Sequence, residues 1–349
     1  MKIKAFIYHK RAEKYNDCQD WFGINFQTKR IAISDGMSQS IFPQWWARIL
    51  VDYYLEKGYF PQDIRPLQEK WQRMLQDEIQ RREEEALTNP KRDPWRLKNL
   101  LAEKSGAGAT LCGLTVEDNE WICECLGDSC VITINHDYTL NIYSSQVGEF
   151  SNHPDYFDSF EKGRGKPIRK RVNRDVKAVL IVTDPFAEFF QLNENNLDFI
   201  KLRFEELQKL STHESFLELV ERWRDEFGMH NDDSTLVLIE DVSNSEFTVV
   251  YQDNLTDLCA AETNSKTQQT SQSISQERGV LETKVSSDIT NRSEKNYQVQ
   301  TFEEAKKQFI VAAELMLSFC PDNKRVNKGS IRNWLFDSLT QTIKKFKRK

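Results

Sequence analysis

The sequence lacks any apolar run that approaches the roughly 18 residues needed to span a membrane. Its N-terminus has only a four-residue apolar patch, so we expect no secretory signal. The seven cysteines are odd in number and have no framework spacing, which favours free thiols in the cytoplasm over disulfides. The net charge of −6 argues against general binding of nucleic acid. We therefore expect a cytoplasmic globular protein.

The sequence also has no legible set of residues for nucleophilic catalysis. No Ser–His–Asp or His–Cys arrangement can be identified, and a Cys-x5-Arg loop is absent. Cys123 and Cys125 would share one face of a strand, but no second Cys or His pair at zinc spacing accompanies them. We interpret these two cysteines as packed free thiols.

A hairpin followed by a helix is predicted near the N-terminus. The apolar runs WFGIN (21–25) and RIAIS (30–34) are joined by a polar turn, a pattern typical of a β-hairpin. Ser40 and Pro43 then begin a helix that Gly58 ends, and its aromatic and aliphatic pairs recur every four residues. This stripe indicates a helix face that packs against a core.

The following part of the chain alternates helical and strand-like patterns. Residues 66–104 are highly charged and helical in pattern, with interruptions at Pro90 and Pro94. Beyond them the pattern predicts strands at 108–116, 120–127, 129–135 and 139–144, a loop-rich stretch at 143–175, a strand at 178–184, two helical segments within 185–226 and a strand at 234–241.

The composition changes beyond residue 252. Between 260 and 300, 21 of 41 residues are Ser, Thr, Gln or Asn, so this part cannot bury enough apolar surface to offset its ordering entropy. We predict one domain at 1–252, a disordered polar linker at 253–300 and a basic helical segment at 301–349. The last segment has a net charge of +6, and its basic tail could bind an acidic partner or serve solubility.

Aspartates stand at the ends of several predicted strands. Asp20 comes directly before the first strand of the hairpin and Asp35 directly after the second, so the hairpin places both carboxylates at one edge. Asp184 follows one later strand and Asp232 precedes another, so these two also share an edge if the strands pair antiparallel. Many such acids only begin a turn, and this alternative stays open at this point.

Four carboxylates at strand ends repel one another unless a cation lies among them. Oxygen ligands without His or Cys suit a hard divalent ion, Mg²⁺ or Mn²⁺. Two such ions could activate a water for in-line attack on phosphorus. Gly36, which follows Asp35, would let its backbone carbonyl approach a metal closely.

A wider resemblance rests on six segments in their order along the chain: CQDWFGIN, IAISDGMSQS, GAGATL, CLGDSCVI, LIVTDPFAEFF and NDDSTLVLI. Together they resemble the metal-dependent protein phosphatases of the PP2C (PPM) family in its bacterial form, over roughly residues 1–250. The resemblance implies an α+β fold, a sandwich of two antiparallel β-sheets flanked by helices, to which the small C-terminal helical segment is added. It also implies a centre of two Mn²⁺ or Mg²⁺ ions at one edge of the sandwich.

The resemblance gives each of the strand-end acids a role. Asp35 would bridge the two ions, with the carbonyl of Gly36 on the second ion. Asp184 and Asp232 would ligate the first ion. Asp20 would hold metal-bound waters from the outer shell.

Further acids match the family less closely. Asp128 corresponds to the family acid that supports a third, weaker ion together with Asp184, and a turn acid in a hairpin is the alternative. Glu188 falls where the family often has another acid at that site. Asp233 would support Asp232 rather than bind metal.

The sequence departs from the family where the substrate phosphate is bound. The family's phosphate-gripping Arg has no match, and Lys14 and Tyr15 stand in its neighbourhood. Lys14 or Arg11 could substitute for it, although a solvated lysine is the plainer interpretation. Met37 stands where some relatives carry a His that acts as a general acid, so no residue is assigned to protonate the leaving group.

A basic stretch at 163–174 precedes the strand that ends at Asp184. In it, Arg169, Lys170 and Arg171 could bind substrate as a flap that attracts acidic phosphopeptides. A solvated loop is the alternative.

The function that the resemblance implies is hydrolysis of phosphoserine and phosphothreonine in proteins by a metal-bridging water. The expected partners are a phosphoprotein substrate and a matching Ser/Thr kinase. The alternative is a catalytically inactive PP2C-fold module that binds phosphoproteins or a kinase. The missing Arg favours that module, and the four retained acids count against it. A hydrolase of small phosphoesters is a third option.

Overall fold

A computed structural model describes residues 1–89, 93–117, 120–146, 154–244 and 246–262. These residues lie in the first of two compact units, which spans Met1–Thr270. The predicted linker beyond residue 262 and the predicted helical segment at 301–349 lie outside the described residues. In the described ranges no helix combines the length and the apolar character that crossing a membrane requires.

The strands are, in chain order, β1 (Lys2–Tyr8), β2 (Trp21–Asn25), β3 (Arg30–Ser34), β4 (Gly108–Ala109), β5 (Leu111–Val116), β6 (Trp121–Leu126), β7 (Cys130–Ile134), β8 (Leu140–Tyr143), β9 (Phe157–Asp158), β10 (Ile168–Val172), β11 (Ala178–Val182), β12 (Ser234–Glu240) and β13 (Thr248–Gln252). The helices are α1 (Pro43–Lys57), α2 (Arg65–Ala86), α3 (Trp95–Ala102), α4 (Asp184–Leu192), α5 (Leu197–Lys209) and α6 (His213–Glu226), and residues 255–262 are also helical.

The predicted hairpin is confirmed as the pair β2 and β3, in which Trp21 lies opposite Ser34. Its turn is stabilised by Asn25, whose side-chain oxygen accepts hydrogen bonds of 3.1 Å from two backbone N–H groups of the turn. Three more strands extend the hairpin into an antiparallel sheet with the order β10-β6-β5-β3-β2. The hairpin therefore forms one side of a five-stranded sheet.

A second sheet has six strands in the order β13-β1-β12-β11-β7-β8. Its neighbouring strands pair antiparallel except for β1 and β13, which pair parallel. The strand β11 lies between β12 and β7, and it is buried throughout because it is apolar on both faces. The strand β11, which precedes Asp184, and the strand β12, which follows Asp232, are therefore antiparallel neighbours, as the sequence predicts.

The two sheets pack face to face around a core to which both contribute, for example through Ile31 and Leu114 of one sheet and Val179 and Val237 of the other. Helices α1, α2 and α3 cover the outer face of the five-stranded sheet. Helices α4, α5 and α6 cover the outer face of the six-stranded sheet. The predicted sandwich of two antiparallel sheets flanked by helices is confirmed.

Helix α1 begins at Pro43 and ends before Gly58, as the sequence predicts, while Ser40 lies outside the helix. Pro43 stands at its first turn, where a missing N–H costs no helical hydrogen bond. Gly58 ends it in the left-handed conformation, with φ of 75°, and its N–H donates to the carbonyl of Tyr54 at 2.7 Å. The buried face contains Trp46 and Leu50, and each such side chain stabilises the fold by about 2 kcal/mol.

The secondary structure differs from the expectations in several details. The described part of 143–175 is loop-rich as predicted, but it also contains β9 and β10, and β10 lacks an apolar pattern because it is a charged outer strand. The region 185–226 holds three helices rather than two, since Asn196 and Thr212 each cap a new helix with their side chains. Residues 255–262, at the start of the predicted linker, are helical and pack Leu255 against the core.

Candidate metal centre

The first pair of acids flanks the hairpin at one edge of the five-stranded sheet. Asp20 precedes Trp21 and Asp35 follows Ser34, and these two strand residues lie opposite each other. The backbone of Asp35 is held by Thr110: the Asp35 N–H donates to Oγ1 of Thr110 at 3.0 Å, and the Asp35 carbonyl accepts the Thr110 N–H at 2.8 Å. The residue between β4 and β5 therefore fixes the backbone at Asp35.

The second pair of acids lies at the corresponding edge of the six-stranded sheet. Asp184 is the first residue of α4, two residues beyond the end of β11, and Asp232 lies two residues before β12. The backbone N–H of Thr183 donates to the carbonyl of Thr235 at 3.2 Å, so the two strand ends are adjacent. The antiparallel pairing on which this prediction depended is present.

Asp20 connects the two edges. Its Oδ2 accepts hydrogen bonds from Oγ1 of Thr183 at 2.9 Å and from Oγ1 of Thr235 at 2.7 Å. Both threonines belong to the edge of the six-stranded sheet, while Asp20 belongs to the hairpin of the other sheet. The acids of the two sheets therefore face one another across the end of the sandwich.

The gathered carboxylates raise one another's pKa values. Burial raises the pKa of Asp35 well above its ordinary value, and the charges of Asp20 and Asp184 raise it further. The pKa of Asp184 is raised well above its ordinary value by burial and then by Asp128 and other acids, Glu188 among them. Without a cation, this group of acids favours its protonated forms.

Two of the buried acids have an oxygen without a hydrogen-bond donor among the described residues. Asp20 is 0% exposed and Asp128 is 6% exposed, and the Oδ1 atom of each has no partner. Burial raises the pKa of Asp20 to about 8 and that of Asp128 to about 6. A buried carboxylate oxygen without a donor is costly, and a divalent cation among the acids would remove that cost. The donor set, nearly all oxygen, fits Mg²⁺ or Mn²⁺.

The tightest set of possible ligands contains a residue that the sequence interpretation missed. Within the described ranges, Asp184, His230 and Asp232 form the one group of three or more such residues whose ligand atoms all lie within 4.8 Å of one another. Asp35 is not in this group. The signal available in the sequence was the position of His230 two residues before a predicted ligand.

Gly36 lies where no side chain fits. A Cβ at this position would lie 2.7 Å from Cβ of Pro43 and 2.9 Å from the carbonyl oxygen of Gln19. Gly36 also forms an isolated bridge with Ala109. The glycine therefore allows the chain beyond Asp35 to pass close to the loop that carries Asp20.

The two basic residues that could substitute for the family's Arg have different surroundings. Lys14 is exposed, and Arg11 forms ion pairs of 2.6 Å with Glu221 and Asp225 of α6. These ion pairs give Arg11 a structural role.

Lys10, which the sequence interpretation passed over, lies beside the acids. Its Nζ is 3.6 Å from Oδ1 of Asp232, 3.5 Å from Oε1 of Glu13 and 3.4 Å from Oγ of Ser38. Its backbone N–H donates to Oδ1 of Asp233 at 2.8 Å, and Oδ2 of Asp233 accepts the Gln19 N–H at 2.7 Å. Asp233 thus holds the loop with both of its oxygens.

The predicted basic flap includes a strand. Arg169 and Arg171 lie on β10, where they form ion pairs with Glu124 at 3.2 Å and Glu120 at 2.6 Å. Arg171 pairs in register with Ile122, four residues from the end of β6, which places it about 13 Å along the sheet from that end. The substrate-binding role of Arg169, Lys170 and Arg171 remains a prediction, although two of the three side chains are engaged by glutamates.

A sandwich that gathers carboxylates from both sheets at one end is the arrangement expected of a metal-dependent protein phosphatase. The family model of protein phosphatase 2C matches residues 9–222, more than half of the chain, and the chain belongs to that family. None of the curated proteins compared with the chain matches it.

Among solved structures, the chain is similar to several bacterial serine/threonine phosphatases. Stp1 from Staphylococcus aureus is 18% identical, with 68% of this chain and 94% of that chain covered and a TM-score of 0.42. The S. agalactiae serine/threonine phosphatase is 13% identical, with coverage of 68% and 98% and a TM-score of 0.43. PstP/Ppp from Mycobacterium tuberculosis is 15% identical, with coverage of 68% and 97% and a TM-score of 0.39. At these identities the matches assign no residue roles.

Proposed function

We propose that the protein hydrolyses phosphoserine and phosphothreonine in proteins with the help of divalent cations held at the acidic end of the sandwich. The observation that carries the proposal is the pair of buried oxygens, Oδ1 of Asp20 and Oδ1 of Asp128, that have no donor in the described part of the chain. Unpaired buried carboxylates destabilise a fold. Their cost is offset if they serve to bind cations.

The residues that would hold the ions come from both sheets. Asp35 and the carbonyl of Gly36 would supply one side, and Asp184 and Asp232 would supply the other. Asp20 would act through water, while Asp128 and Glu188 would serve a weaker site. When bound, Mn²⁺ or Mg²⁺ supplies activation of a water at neutral pH and neutralisation of charge on the phosphoryl group.

The chain itself fixes these carboxylates before any ligand binds. The hydroxyls of Thr183 and Thr235 orient Asp20, and Thr110 fixes the backbone of Asp35. The pKa shifts indicate that binding of cations and loss of protons are coupled, because the acids favour protonation when no cation is present.

Lys10 is the residue that we propose for binding the substrate phosphate. Its ammonium lies beside Asp232 and Ser38, and its side chain is 18% exposed, so it lies at the mouth of the acidic end and can still reach a ligand. An ammonium binds phosphate as a point charge, which makes Lys a weaker substitute for the bidentate Arg of the family.

One observation favours the alternative, an inactive module that binds phosphoproteins. Tyr15, in the neighbourhood of the missing Arg, is buried, and its hydroxyl lies 2.6 Å from Nε2 of His213. Tyr15 is therefore engaged in the fold and does not reach a phosphate. Lys10 counts against the alternative, because its ammonium supplies a positive charge beside Asp232 in place of the missing Arg.

Hydrolysis of p-nitrophenyl phosphate and of a phosphothreonine peptide, with and without Mn²⁺, tests the proposal. We expect turnover that depends on Mn²⁺ and that falls by at least about 10²-fold in Asp35→Asn and Asp184→Asn. Asp175→Asn, at an exposed acid that pairs with His136, is the matched control and should keep full activity. A folded wild-type protein without turnover on either substrate would favour the binding module.

The setting that we propose is the cytoplasm, with a Ser/Thr kinase that phosphorylates the same substrates. The six described cysteines are all free thiols, which suits a reducing compartment. The basic tail, for which an acidic partner and a solubilising role are the alternatives, lies outside the described residues.

A further inference from the structure

His230 lies in a short connection whose neighbours are anchored. The N–H of Met229, a buried residue, donates to the carbonyl of Trp223 at 3.1 Å, and Oδ1 of Asn231 accepts the Arg11 N–H at 2.9 Å. The connection leaves α6 through Gly228, which has a φ of 75°. His230 is therefore held between two fixed residues and remains exposed on the side of the acids.

A ring nitrogen of His230 lies within 4.8 Å of carboxylate oxygens of both Asp184 and Asp232. Two carboxylates and one imidazole at this spacing form a three-sided set that a single cation can contact. Oδ2 of Asp20 accepts a hydrogen bond from Thr183, the residue next to Asp184, whereas Oδ1 of Asp20 has no partner among the described residues. This unpartnered oxygen independently indicates a cation at this end of the sandwich.

We propose that His230 supplies a nitrogen ligand to the cation held by Asp184 and Asp232, and that it makes this site select a transition metal over Mg²⁺. The inference rests on the metal centre proposed above and adds the identity of one ligand and its effect on metal choice. Mg²⁺ prefers oxygen ligands and keeps most of its waters, whereas imidazole nitrogen favours first-row transition metals.

Pulsed electron paramagnetic resonance of the full-length protein, with Mn²⁺ added from one to three equivalents, tests the ligand directly. We expect electron spin echo modulation from a coupled ¹⁴N nucleus in the wild type, and its loss in His230→Ala. His136→Ala is the matched control, because His136 is also exposed and lies 3.3 Å from a single carboxylate, that of Asp175. This variant should retain the ¹⁴N signal.

Calorimetric titration of the same proteins with Mn²⁺ and with Mg²⁺ tests the selectivity. The ratio of Mn²⁺ to Mg²⁺ affinity should fall by about tenfold or more in His230→Ala and stay unchanged in His136→Ala. Bound Mn²⁺ without a ¹⁴N signal in the wild type, or an unchanged ratio in His230→Ala, would overturn the role of His230 and leave the carboxylate centre intact. A wild type that binds no Mn²⁺ would overturn both.

Discussion

Two buried aspartates of this protein have opposite surroundings. Asp253, 4% exposed, accepts hydrogen bonds at both oxygens: Oδ2 from the Ile7 N–H at 2.9 Å and from Nδ1 of His213 at 2.9 Å, and Oδ1 from the Tyr251 hydroxyl at 2.9 Å. Asp20, 0% exposed, accepts hydrogen bonds only at Oδ2 within the described residues.

The difference separates an acid that holds the fold from one that we propose for a cation site. The donors around Asp253 come from β1, β13 and α6. This carboxylate therefore connects two strands and a helix, just before the helical residues 255–262. Among the described residues, Asp20 has hydrogen-bond donors at one oxygen only, and the charges of Asp233 and Asp232 act on it. Completeness of the hydrogen bonds, rather than burial, distinguishes the two roles.

The largest effect is expected from Asp253→Ala. The change leaves the donors of Ile7, His213 and Tyr251 without an acceptor, and we expect the free energy of unfolding to fall by about 3 kcal/mol or more. Urea denaturation measures this loss, which added Mn²⁺ should not reverse. An Asp253→Ala protein as stable as wild type would remove the distinction between the two acids.

A smaller effect of opposite sign is expected from Asp20→Asn. Because the pKa of Asp20 is raised to about 8 in the fold, the metal-free folded protein binds more protons than the unfolded chain between about pH 4 and pH 8. Its stability therefore falls as the pH rises through this range. The amide cannot ionise, so the variant should be more stable than wild type at pH 8 without metal, by about 1 kcal/mol or more.

Thermal unfolding at pH 5 and pH 8, with and without Mn²⁺, checks this prediction. The stability gain should be much smaller at pH 5, where the folded wild-type acid is protonated and only the unfolded chain is ionised, and Mn²⁺ should stabilise wild type more than the variant. Asp253→Asn serves as the comparison, since no gain at pH 8 is expected there. A loss of stability in Asp20→Asn at pH 8 would show that its carboxylate is satisfied without a cation.

The smallest effect concerns a third acid, Asp232, whose neighbour is a protein cation. Lys10→Met removes the ammonium near Asp232 and the proposed contact with phosphate. We expect kcat/KM for a phosphopeptide to fall by about tenfold, mainly through KM, because the contact serves substrate and transition state alike. Lys14→Met, at an exposed position, is the control. Equal kinetics for the two variants would contradict the proposal.

The sequence predicted the parts of the site that depend on local pairing. The positions of Asp20 and Asp35 follow from one hairpin, and those of Asp184 and Asp232 follow from one antiparallel pair, so strand ends alone place them. Lys10 could not be found in this way, because Asp233 and Gln19 fix its loop through tertiary hydrogen bonds.

The strand β10 was not predicted, for a different physical reason. β10 carries the sequence IRKRV, in which three charges in succession suppress the alternation that marks a half-buried strand. Its pairing with β6 is supported by glutamates on the neighbouring strand and just before it, and no local pattern shows these. Tertiary partners therefore override the local preference of this segment.

The charged strand β10 also has a consequence for the behaviour of the protein in concentrated solution. Among the strands that the structure describes, it is an outer strand of the five-stranded sheet, paired with β6 alone. An outer strand offers a row of backbone groups to which a second copy of the chain could add its own strand. The charged side chains of β10 would have to lose water in such an addition and so oppose self-association through this strand.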